Sequence, residues 1–135
     1  MTNTQGPLGQ ARLYLSKAEE YLASAADNLS QERHTVCAGD AVHAGICAKD
    51  AIVTALTGQT VRGKDHTAAV KELRSALGRR EMAADAERAL RDLVGAKTEV
   101  EYSVEAVTAA KAKTLLRRAK TLVELARSIV KGGGA

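Results

Sequence analysis

The chain has 135 residues and a net charge of +4, with 45% hydrophobic and 27% charged residues, a balance that argues against disorder and leaves room for one domain, residues 1–135. It contains 26 alanines, one proline, three tyrosines and no Trp or Phe. That excludes an all-β domain, a collagen-like chain and a disulfide scaffold, and points to closely packed helices built on Leu, Val, Ile and Ala. No apolar run approaches the roughly 20 residues of a membrane span. Met1 to Pro7 has neither the basic nor the apolar region of a signal peptide, so a cytoplasmic chain is expected. Cys37 and Cys47 lie ten residues apart in one helical pattern. That places them about 15 Å apart along the axis, too far for a bridge, so both thiols should be free.

In chain order, Pro7 suits the first turn of a helix running from Leu8 to about Leu29, where Leu15, Ala18, Leu22, Ala25 and Leu29 repeat at threes and fours. Ser30 to Arg33 ends it. A second helix is predicted from about His34 to Leu56, stopped at Gly58. Its wheel has a bulky arc of Val42, Ile46, Ile52, Val53 and Leu56, beside an arc of Ala41, Ala44, Ala48, Ala51 and Ala55. The remaining arc is polar: Asp40, His43, Cys47 and Asp50. A helix apolar over more than half its circumference belongs in the centre of a bundle, touching at least two others.

After a polar loop, Asp65 is a good N-cap for a short third helix, His66 to Leu77, with Val70, Leu73 and Leu77 inward and Gly78 as C-cap. A fourth helix carries Ala83, Ala86, Leu90, Leu93 and Val94 and meets Gly95. Thr98 and Glu101 have capping-box spacing, which predicts a last helix from there to about Lys131, with Tyr102 on its polar side. The expected fold is therefore all-α: an up-and-down four-helix bundle with one additional short helix, ordered over about residues 8–131, before a Gly-rich tail. The small residues of the second and last helices predict those two as the closest pair.

Within the second helix, the run Ala41 to Ile52 resembles the second helix of HEPN domains, small α-helical bundles of prokaryotic toxin, defence and nucleotidyltransferase-associated systems. Gly63-Lys64-Asp65-His66 resembles the basic loop with a His that opens the third helix in one HEPN branch. Glu101-Tyr102 resembles an acidic-Tyr pair before the long last helix, whose small-residue spacing matches Ala112, Ala119, Ala126 and Ile129. The resemblance covers most of Leu15 to Ile129. It implies pairing of two chains, and in its ribonuclease members an Arg followed after four to six residues by a His. There the His activates a ribose 2′-hydroxyl and the Arg stabilises phosphate charge. Here Arg62 and His66 have only three residues between them, the nearest approach to that spacing.

The primary expectation is a non-catalytic HEPN-like interaction module, a homodimer or the partner of a toxin or enzyme. The alternatives are an endoribonuclease using Arg62 and His66, and a nucleic-acid-binding accessory. For the last, residues 105–135 carry seven basic against two acidic residues. Lys113, Arg117, Lys120, Arg127 and Lys131 fall on one side of the last helix, a stripe suited to phosphates. Asp40, His43, Cys47 and Asp50 are all metal-ligand types. No second ligand set accompanies them, so that arc is read as polar surface or subunit contact, with no metal and no cofactor expected. Isologous pairing would bring Asp40, His43 and Tyr102 of two chains near a common axis.

Overall fold

The computed structural model of the chain describes residues 6–59 and 65–133. Five helices account for its regular structure: α1 Pro7–Ser30, α2 His34–Thr57, α3 His66–Leu77, α4 Ala83–Tyr102 and α5 Ala109–Lys131. Four long helices and the short α3 form the expected all-α bundle, and no described residue is in a strand.

The helix ends follow local chemistry. Gly58 closes α2 in the left-handed conformation at φ 71°, where a side chain would be strained. Asp65 caps α3 by accepting from the Thr67 N–H at 3.0 Å, and Gly78 ends it at φ 61°. Between α1 and α2 the chain reverses in three residues, with Glu32 held at φ 59°. The Arg33 N–H donates to the Asn28 carbonyl at 2.8 Å across that turn.

α2 is the hub and touches each of the other four helices. Ala41, Ala44, Ala48 and Ala51 have no exposed surface, so neighbouring backbones come close there. Val42 and Ile52 fill the space on the bulkier side, while Ile46 and Leu56 are half-buried. Gly45 is a point of closest approach. A Cβ there would run into Leu93 Cδ1 of α4, with Leu122 Cδ1 of α5 at 3.5 Å.

Two expectations are corrected. The closest pair is α1 with α2, and α2 with α5 comes second. α1 carries its own seven-residue repeat of fully buried alanines, Ala11, Ala18 and Ala25, like Ala112, Ala119 and Ala126 of α5. The short turn after Ser30 also holds α1 beside α2 over most of their length. The second correction is the start of the last helix. Thr98 and Glu101 lie inside α4, which passes through Gly95 and ends at Tyr102. Buried Ala96 and Val100 continue the inward stripe of Leu93 and outweigh the helix-weakening Gly. α5 instead begins after Thr108, whose hydroxyl accepts from the Lys111 N–H at 3.1 Å.

Candidate functional site

The polar arc of α2 lies along a surface shared with α1 and the C-terminal end of α4. Asp40 accepts from Ser24 Oγ at 2.6 Å and Asn28 Nδ2 at 3.0 Å, both on α1. Three residues on, the His43 ring stacks on Tyr21 with centroids 5.2 Å apart and an interplanar angle of 28°. His43 Nε2 is 3.7 Å from Glu101 Oε1. Glu101 stands one residue before Tyr102, which is 77% exposed. Asp40 and His43 therefore share a face with the end of α4, and Tyr102 borders it from α4, not from the last helix as expected.

A cleft of about 350 Å³ opens between Lys17, Glu20, Tyr21, Ser24 and Asp40. At the same end of the molecule, the Val107 N–H donates to Thr35 Oγ1 at 3.0 Å and ties the segment 103–108 to the start of α2. Val36 and Val104 are exposed near that tie, at 51% and 101%.

Further along α2, Cys47 and Asp50 serve other surroundings. Burial raises the Cys47 thiol, with Lys17 opposing and Asp50 reinforcing the shift. Burial also raises the Asp50 carboxyl, against the lowering influence of the adjacent Lys49 ammonium. Cys37 is wholly buried, which pushes its thiol up, and Asp40 adds to this. Both cysteines are free. The four ligand types of this arc turn to different partners, and among the described residues no three His, Cys, Asp or Glu side chains gather as a metal would require.

One charged residue escaped the sequence pattern. Lys49 is only 2% exposed, and its Nζ lies 2.9 Å from Asp50 Oδ1 and 3.1 Å from Glu72 Oε1 on α3. The cation thus pins α3 to α2. The available signal was a lysine inside an Ala- and Ile-rich run of the central helix.

Of the Arg–His pair, Arg62 lies outside the described residues. His66 opens α3, but its side chain is also outside them. On α5, Lys113, Arg117, Lys120 and Lys131 are exposed. Arg127 is not free: it closes on Glu19 of α1, with Nη2 and Nε at 2.8 and 2.9 Å from Oε2. Glu124, also exposed, interrupts the stripe.

The fold and its polar α2 face define a small helical-bundle protein whose central helix carries small residues inward and His and Asp outward. The sequence profile of the HEPN domain matches residues 11–129, nearly the whole bundle. The chain belongs to the HEPN domain family, often found in ribonuclease, toxin and defence systems. No curated protein sequence matches it significantly. Among the described residues, no helix is long and apolar enough to cross a membrane.

Proposed function

We propose that this chain is a non-catalytic HEPN interaction module, which pairs with a second copy or with a toxin or enzyme in a defence or toxin–antitoxin-type system. The pairing face is the one formed by Asp40, His43 and Tyr102. The observation that carries this proposal is the 3.7 Å approach of His43 to Glu101, which sets exposed Tyr102 beside the polar arc of the central helix. Tyrosine is favoured at interfaces because its ring buries apolar area while its hydroxyl keeps a hydrogen bond. Exposed Val36 and Val104 add apolar area at the same end. An isologous dimer would cover them on both copies.

His43 supports a binding role over a catalytic one, since its described partners are an aromatic ring and a carboxylate rather than an arginine. Incubation of the pure protein with total RNA tests this: the RNA should remain intact. Cleavage abolished by His66→Ala would replace the proposal with a ribonuclease using Arg62 and His66. The four outward cations Lys113, Arg117, Lys120 and Lys131 favour a second role as a nucleic-acid accessory. That role requires a salt-dependent gel shift of RNA or DNA that is weakened by Arg117→Glu.

A further inference from the structure

Away from the α2 face, a groove of about 700 Å³ runs between α3 and α4. Its floor is apolar, with Val70 from α3 and Val94 from α4 both buried. Its rim is cationic. Lys71 and Arg74 stand on α3, Arg91 stands on α4, and among the described residues Glu87 is the one carboxylate lining it. Glu87 accepts from Arg74 Nη1 at 3.1 Å through one oxygen and from Arg91 through the other. Two of the three cations share the one described anion, so the rim remains positive around an apolar floor.

Gly95 points to a backbone approaching from outside. It lies within α4 and lines the groove, and among the described residues a Cβ built there would meet nothing within 4 Å. Glycine in a helix interior costs about 0.5–1 kcal/mol relative to alanine. At Gly45 that cost has an internal reason, since Leu93 occupies the space. At Gly95 no described residue occupies the space of the missing side chain. A bound segment would.

We propose that the α3–α4 groove docks an acidic amphipathic helix of a partner protein. Small and apolar residues of that helix would rest on Val70 and Val94 beside Gly95, and its carboxylates would meet Lys71, Arg74 and Arg91. This rests on the interaction-module reading but uses a different face from Asp40, His43 and Tyr102. Two helices with an apolar valley between them are built to receive a third. A peptide is favoured over nucleic acid because the floor is aliphatic and, among the described residues, none lining the groove offers an aromatic ring to a base.

The test is a titration of the isotopically labelled full chain, followed by amide NMR shifts. The probe is a synthetic amphipathic helix of about four turns, with Leu and Ala on one face and Glu on its flanks. Shifts should cluster at residues 67–75 and 87–95, and the same peptide with Lys in place of Glu should produce none. Gly95→Leu should fold at least as stably as the native chain and weaken the peptide about tenfold or more. Lys71→Glu should do the same without filling the groove. Shifts elsewhere, or equal affinity in both variants, would overturn the proposal. So would oligouridylate producing the same shifts more tightly than the peptide. Light scattering on the same samples keeps the two proposals apart: a groove that fails to bind while the dimer mass persists removes only the docking site. RNA cleavage would remove only the non-catalytic reading.

Discussion

Lys49 is a charged ammonium held at 2% exposure on the central helix, and two carboxylates from different positions make that tenable. Removing one member of a buried ion pair leaves the others desolvated without compensation, which is usually worse than removing the whole set. Lys49→Met should cost about 2–3 kcal/mol, less than for a fully enclosed pair because Glu72 can turn to solvent. Adding Asp50→Asn to Lys49→Met should return part of that loss, and urea unfolding of the three variants checks both expectations. In the native chain the Asp50 carboxyl is raised, chiefly by burial. The folded state therefore binds its proton more tightly than the unfolded chain does. This contribution is fully present below the ordinary aspartate pKa of about 3.9 and is lost as pH rises through the raised value. Asp50→Asn should accordingly gain stability relative to the native chain between acid and neutral pH, and a stability difference from urea unfolding that stays constant across that pH range would contradict this. The sequence grouped Asp50 with Asp40 and His43 on a polar arc, whereas its carboxylate lies against Lys49. It could not supply Glu72 on α3, 23 residues from Lys49, so the role of Lys49 stayed hidden.

Helix boundaries were legible where a residue type has one strong local use. Asp65, Gly58 and Gly78 end or begin helices as their chemistry dictates. The α4 boundary was not legible, because a Thr and a Glu three apart form a capping box only at a helix start. Inside a helix they are merely neighbours on one face. This distinction has a measurable consequence. Thr108→Ala should cost about 1 kcal/mol by removing the hydroxyl that accepts from Lys111. Thr98→Ala, on the exposed face of α4, should stay within about 0.5 kcal/mol of the native chain. Comparable losses from both would return Thr98 to the role of a cap.

Gly45 shows the other limit on what the sequence could reveal. It sat within the HEPN-like run with no assigned use, and only tertiary packing reveals Leu93 in the place of its missing side chain. Gly45→Ala gains helix propensity of about 1 kcal/mol but must displace a buried leucine, so it should end near neutral to about 2 kcal/mol destabilised. Gly45→Val should lose clearly more. Thermal unfolding of the two variants tests the order, and a stabilised Gly45→Val would contradict the packing described.

At the scale of the whole molecule, the all-α architecture was legible because it rests on periodicity within single helices, and the family through the resemblance carried by the run Ala41 to Ile52 and the order of the motifs after it. The candidate face was legible only in part. Asp40 and His43 share one arc of α2, so sequence spacing joins them. Tyr102 reaches the same region through the C-terminal end of α4, and its proximity depends on the α2–α4 contact. The proposed dimer depends on that convergence. Light scattering at micromolar concentration tests it most directly, on the native chain and on Tyr102→Arg. The native chain should have twice the 14.2 kDa chain mass, and Tyr102→Arg, which places a charge in the proposed pairing face, should have the mass of one chain. A native mass of 14.2 kDa would contradict the dimer. A Tyr102→Arg dimer as stable as the native one would contradict this choice of face.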